Sequence, residues 1–197
     1  MLVPCIPPPS HFRPRALTFI RMSSAPAPIR LTPADAARYL RLRDRMLRDA
    51  PWAFDMEREE DAALDLARVV RTLAAEHAAT FAIEAPAGDA GKSAELIAAA
   101  TVTRAAQPKF THRARISGVF VHPAHRGRGL GRAVTAAAIG CARGWPGVDY
   151  IDLGVSENSP GALRLYESLG FRAWGREPEA TEHEGRRYDE IYMTLRL

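Results

Sequence analysis

The clearest chemistry in this 197-residue chain lies between Val119 and Arg132, VFVHPAHRGRGLGR. The apolar run Ile116 to Val121 predicts a buried strand. Pro123 cannot donate to a ladder, so the strand ends near His122. A turn follows, Arg126-Gly127-Arg128-Gly129-Leu130-Gly131, and Arg132 to Arg143 has an alanine-rich helical composition. A strand, a glycine turn and a helix aim unpaired backbone N–H groups at one point, where the helix dipole adds partial positive charge. Such a point binds phosphate. Arg126, Arg128 and Arg132 add full charges, and the glycines permit close approach. A P-loop is excluded because Leu130-Gly131-Arg132 stands where Gly-Lys-Ser/Thr is required. A dinucleotide fingerprint is excluded because the third glycine position falls on Arg132 or Val134.

What fits is R-x-x-G-x-G, at Arg126, Gly129 and Gly131. A second segment reads Asn158, Ala162, Tyr166, Gly170-Phe171. Together they resemble the GNAT family of N-acetyltransferases over residues 29–197. The resemblance implies an α/β fold with a mostly antiparallel central sheet, splayed around acetyl-CoA and flanked by helices. It implies a pyrophosphate site at Arg126, Gly127, Arg128, Gly129, Leu130, Gly131 and Arg132. The pantetheine arm would pair with the backbone near Phe120 and Val121, which also supplies an oxyanion donor. Tyr166 would protonate the leaving thiolate, against the bland reading of a core aromatic on a face shared with Ala162, Leu165 and Leu169. Asn158 would touch the cofactor, and a helix cap explains it nearly as well. On the acceptor side the resemblance points to Phe54, Glu57 and Tyr188. Glu59, Glu60 and Asp189 lie near them, though a solvated face explains the glutamates equally. Arg115 to Val119 offers no carboxylate as general base, so water or a distant acid must serve.

The elements that position these residues are legible. Thr32-Pro33-Ala34-Asp35 predicts a capped helix start, with the helix running to Asp49 after a short strand at 29–31. Pro51 breaks it. A second helix is expected from Glu57 to His77, with Leu64, Val69, Val70 and Leu73 inward. Strands at 80–85, 95–103 and 113–121 have short loops and predict an antiparallel meander. A strand at 150–155 precedes a helix that Asn158 or Ser159 caps and Gly170 ends. Residues 171–175 and 188–195 close as a hairpin around a long charged loop, 176–187. No internal repeat is present.

Composition bounds the rest. The chain is 47% hydrophobic, with net charge +4, two cysteines and no transmembrane-length apolar run. No metal site and no disulfide framework is expected, consistent with a reducing cytoplasm. Residues 1–28 are proline-rich and free of acids, and read as a disordered tail before a single domain at 29–197. Met22 is an alternative initiator, and the arginines there also suit a transit peptide. The expected activity is transfer of acetyl from acetyl-CoA to a primary amine, small-molecule or peptide, by direct attack in a ternary complex. The alternatives are a non-catalytic acyl-CoA-binding module, or a basic nucleic-acid- or ribosome-associated protein. No nucleic acid and no membrane partner is expected, and a homodimer is compatible. Deleting residues 1–28 is expected to leave the thermal midpoint and acetyl-CoA binding unchanged; a midpoint lowered by several degrees would show that the tail packs.

Overall fold

The computed structural model describes residues 26–54, 56, 58, 60, 61, 64–86 and 94–197. Glu57 and most of the proline-rich tail therefore lie outside the described residues. The strands are β1 (Ile29–Arg30), β2 (Ala78–Glu84), β3 (Leu96–Arg104), β4 (Arg113–Val121), β5 (Tyr150–Ser156), β6 (Arg172–His183) and β7 (Arg186–Arg196). The helices are α1 (Ala36–Asp49), α2 (Leu66–Ala74), α3 (Leu130–Arg143) and α4 (Pro160–Ser168). One sheet holds all seven strands in the order β1-β2-β3-β4-β5-β7-β6. Every pairing is antiparallel except β4 with β5. The expected meander is β2-β3-β4. Among the described residues, no helix is long and apolar enough to cross a membrane.

The sheet carries a core on each face. Val134, Ala138 and Ile139 of α3 pack with Ile116, Leu153 and Met193 on one side. Leu42 and Met46 of α1 and Val69 and Leu73 of α2 pack with Ala99 and Phe120 on the other. The buried positions of α1, Ala36, Tyr39, Leu42, Met46 and Leu47, recur at helical spacing. Before α1 begins, Asp35 accepts hydrogen bonds from the Thr32 N–H (2.9 Å) and hydroxyl (3.0 Å), tying down the chain entry.

Three expectations need correction. The second helix starts at Leu66, not Glu57, because Asp65 caps it by accepting from Arg68 N–H at 2.8 Å. Leu64 precedes it, and Val70 is exposed. The charged stretch 176–187 is not a loop. It forms the paired ends of β6 and β7, joined at Glu184-Gly185. Its charges belong to an edge strand with solvent on one side. The helix after β5 has Ser159 at its N-cap, but no side-chain hydrogen bond caps it.

The decisive feature is in β4. Ala99 pairs with Phe120 and Thr101 with Ser117, so β4 carries one extra residue there. That is a bulge, and Gly118 sits in it at φ +61°. Side chains beyond it change face. Ile116 points into the core under α3, while Phe120 joins the core under α1 and α2. At the same place β4 leaves β5. The two strands pair only at Arg113–Tyr150, Ala114–Ile151 and Arg115–Asp152. Asp152 pins that closed end by accepting two hydrogen bonds from Arg113, at 2.7 and 2.6 Å. Beyond Arg115, the edge of β4 facing β5 is open.

A Cβ at Gly118 would meet only the Tyr39 hydroxyl at 3.6 Å, an ordinary contact. The cost of substitution is therefore in the backbone. Gly118→Ala is expected to lower stability by about 1–2 kcal/mol, read as a lower denaturant midpoint at unchanged slope. An unchanged midpoint would show that β4 holds its bulge without the left-handed residue.

Candidate functional site

Where β4 and β5 part, the sheet opens into a cavity of about 480 Å³ that reaches from α1 and α2 through to α4. Tyr39 and Phe54 line its α1 side, Ser117 and Gly118 its β4 wall, and Gly154 and Ser156 its β5 wall. Tyr166 and Glu190 close the far side. Phe54 thus lies where expected, with the Arg43 guanidinium 4.6 Å over its ring. Tyr188 does not line the cavity: it is buried beneath Arg186, 5.1 Å from the ring centroid. Asp189 accepts from the Glu179 N–H at 2.9 Å and pairs with Arg176, and these contacts hold its carboxyl below the usual range. Glu60 is exposed.

The glycine turn has the expected shape. Gly127 and Gly129 both take φ +76°, and Gly129 is the N-cap of α3. The first helical bond runs from Ala133 N–H to Gly129 at 3.0 Å. The N–H groups of Leu130, Gly131 and Arg132 precede it and have no helical acceptor. Leu130 buries its side chain in the core and so anchors the helix start. Gly131 has a different need: a Cβ there would sit 3.3 Å from Leu165 and 3.4 Å from Val121, where α3 meets α4 and β4.

The three arginines are not equivalent. Arg126 donates to the Val121 carbonyl at 3.1 Å and pairs with Asp49 at the end of α1. Arg132 donates to the Ser168 hydroxyl at 2.8 Å, linking α3 to the end of α4. Arg128 is exposed and has no hydrogen-bond or ion-pair partner among the described residues. Phe120 is buried and Val121 half-buried, both paired to β3 on one edge and open on the other. Together the N–H cluster, Arg128 and the open β4 edge suit a ligand with a charged phosphate end and an amide-bearing arm.

Tyr166 is 6% exposed, and its ring meets Phe171 edge to face at 5.9 Å. Burial first, and the charge of Glu190 second, push its hydroxyl well above the ordinary tyrosine range. The phenol therefore keeps its proton, which suits a donor and excludes a base. Asn158 is exposed; its backbone N–H donates to the Ser156 hydroxyl at 3.4 Å, and its neighbour Ser159 is the one that lines the cavity. His122 accepts from the Ala124 N–H through Nδ1 at 3.2 Å, and burial lowers its pKa, so it acts as a neutral local cap. Burial pushes the Cys141 thiol up on α3, away from nucleophilic use. Among the described residues, no cluster of three or more metal-ligating side chains exists.

Sequence reasoning overlooks Glu190. It pairs with Ser156 across β5 and β7, and its carboxylate lies over Gly154, so close that any Cβ added to that glycine would collide with Oε1. Strand alternation holds the signal. Ile191, Met193 and Leu195 pack against or within the core under α3, so Glu190, Tyr192 and Thr194 face the other side.

A family model for the Acetyltransferase (GNAT) family matches residues 40–171. Over 79 residues the chain is 37% identical to an L-methionine sulfoximine/L-methionine sulfone acetyltransferase of Salmonella typhimurium, covering 40% of this chain and 46% of that one. Over 56 residues it is 50% identical to a mycothiol acetyltransferase of Thermobispora bispora, covering 28% and 19%. The matched stretches thus span less than half the length of these curated relatives. The Salmonella typhimurium protein yncA, solved with its cofactor acetyl-CoA, superposes with a TM-score of 0.67 at 25% identity, over 86% of this chain and 94% of that one.

Gly129→Val forces a β-branched residue into a left-handed conformation and disturbs the N–H cluster. The variant is expected to keep its far-ultraviolet dichroism but lose the acetyl-CoA-induced stabilisation, about 2.7 kcal/mol at a hundredfold excess over Kd. A wild-type melting shift in the variant would place the anion site elsewhere.

Proposed function

Because the chain belongs to the acetyltransferase (GNAT) family, we propose that it is an acetyl-CoA-dependent N-acetyltransferase that transfers acetyl to a primary amine by direct attack in a ternary complex. The observation that carries this reading is the fork between β4 and β5. It brings the open edge of β4 and the Tyr166–Glu190 pair around one cavity, and β4 runs on from there to the glycine turn and the N-terminus of α3. The names of the relatives, acetyltransferases of methionine sulfoximine and of mycothiol, support an amine of modest size.

Each residue then has a task. The free N–H groups of α3 and Arg128 hold the pyrophosphate. The open edge of β4 holds the pantetheine arm and offers an N–H to the developing oxyanion. Glu190 accepts the amine proton, directly or through a water, as the C–N bond forms. The C–S bond breaks, and Tyr166 hydrogen-bonds the departing thiolate and delivers a proton to it. A phenol more basic than a thiolate gives up its proton reluctantly. The position of Glu190 eases this, because its charge is one cause of the raised Tyr166 pKa. Once Glu190 has taken the amine proton, that charge is gone.

The pH profile follows with its sign. The folded pKa of Tyr166 is raised, so the donor form persists throughout the range below the ordinary tyrosine value. Turnover is expected to rise as the amine deprotonates, with no falling limb from Tyr166 below about pH 10. Tyr166→Phe keeps the ring and its contact with Phe171. It is expected to reduce kcat by about 10²–10⁴-fold while acetyl-CoA affinity is retained. Steady-state thiol release beside calorimetry checks this. Unchanged kcat would make Tyr166 a packing residue, and tight acetyl-CoA binding with no thiol release from any amine would favour a non-catalytic acyl-CoA-binding module.

A further inference from the structure

A second cavity, of about 970 Å³, lies on the same face of the sheet, over the paired ends of β4 and β5. It is walled by Phe110, Trp174 and Tyr192, and rimmed by Arg115 and Thr103. Arg115 and Thr103 also line the first cavity. The two spaces are therefore adjacent, with Arg115 and Thr103 between them.

Three features of this extension point to one kind of ligand. First, Trp174 and Tyr192 stack, with centroids 5.6 Å apart and planes 25° from parallel. Trp174 is nonetheless 65% exposed and Phe110 53%. Large aromatic surface left open beside a reaction cavity is a platform for an apolar group. Second, Arg115 forms no ion pair among the described residues. The carboxylate opposite it in the register, Asp152, already accepts two bonds from Arg113. Third, the Tyr192 hydroxyl donates to Glu177, and Glu190 and Arg115 act on it more weakly, with opposite signs. Two negative side chains and one positive one thus surround one aromatic.

Spacing limits what can bridge them. The Glu190 carboxylate lies over Gly154 of β5. Arg115 sits on the neighbouring strand, opposite Asp152, two residues back along β5. From strand rise and strand separation, Gly154 and Arg115 are about 8 Å apart at Cα. Arg115 and Glu190 both line the first cavity, so one ligand that carries an ammonium and a carboxylate can face both. Tyr192 pairs with Gly154 on one side and Gly175 on the other, so the aromatic stack flanks that gap.

We propose that the acceptor is a free α-amino acid with a large apolar or aromatic side chain, bound by Glu190 at its amine, Arg115 at its carboxylate and the Trp174–Tyr192 stack at its side chain. The assignment rests on the acetyltransferase reading above and narrows its acceptor. Arg115 and Trp174 are then specificity-determining residues remote from the breaking C–S bond. A peptide N-terminus offers the same amine and side chain but no adjacent carboxylate, so Arg115 discriminates against it.

The experiment compares L-phenylalanine, L-phenylalaninamide and L-alanine as acceptors, in wild type, Arg115→Met and Trp174→Ala. Thiol release gives kcat/KM. Calorimetry on the complex with desulfo-CoA, an unreactive cofactor analogue, gives L-phenylalanine affinity without turnover. Wild type is expected to prefer phenylalanine over alanine, and over its amide, by at least about tenfold each. Arg115→Met should erase the preference for carboxylate over amide, and Trp174→Ala the preference for phenylalanine over alanine. Both losses should appear mainly in KM. Acetylation of all three acceptors at similar kcat/KM, or preferences that survive both substitutions, would overturn the assignment while leaving the acetyltransferase reading intact. If no amine is acetylated, that reading falls, and the calorimetry still decides here. Binding of L-phenylalanine that both substitutions weaken upholds the subsite, and absence of binding removes it.

Discussion

A single extra residue in β4 sets the geometry on which everything else depends. Gly118 adopts a conformation that few other residues reach cheaply, and the strand bends there. Two things follow from one bend. The strand delivers Phe120 to a different core from Ile116, and it departs from β5. A parallel pair that stayed together to its end would satisfy its own backbone and leave nothing for a ligand. Here the backbone groups beyond Arg115 must find partners elsewhere, since unpaired buried amides are costly. The cleft is thus a consequence of a ladder stopped early.

The fork is stable because both arms are fixed from outside. β4 is held by β3 along its length, and β5 by β7 from Tyr150 to Ser156. The closed end carries the bidentate Arg113–Asp152 pair, and the same Arg113 guanidinium lies 5.0 Å from the Tyr150 ring centroid. The helices that approach the open end are tied to one another rather than to the cleft. Arg132 binds α3 to the last residue of α4, and Arg126 binds the glycine turn to the last residue of α1. Charges that look like phosphate ligands in the sequence are thereby shared with the scaffold, and Arg128 alone of the three stands clear among the described residues.

Much of this is legible in the sequence, for identifiable reasons. The strand–turn–helix at Val119–Arg132 is visible because glycine, proline and apolar runs each act locally. The β4 limits, Arg113 and Val121, are readable because alternation and a flanking loop bracket them. The bulge has a signal in the isolated Gly118, which a plain strand assignment passes over. The start of α2 is misplaced by sequence because a run of acids looks helical, while Asp65 takes the cap by its own hydrogen bond. Glu190 escapes notice beside its neighbours Tyr188 and Asp189. Only the core-facing alternation of Ile191, Met193 and Leu195 says which of these residues faces the cavity. Ion pairs such as Arg126 with Asp49 join residues far apart in sequence and leave no local trace.

The charged segment 176–187 has a further consequence, for association. β6 ends the sheet on one side, and β1, only two residues long, on the other. Exposed strand edges invite pairing with other chains. β6 carries Arg172, Arg176, Glu177, Glu179 and Glu182, and its register shifts between Glu177 and Thr181, with Glu179 at φ +50°. A charged, irregular edge is a poor template for a foreign strand, and a two-residue edge is barely a template at all. The seven-stranded sheet is thus guarded at both ends against runaway edge-to-edge aggregation, and the charge that disguises β6 as a loop is the chemistry of that guard.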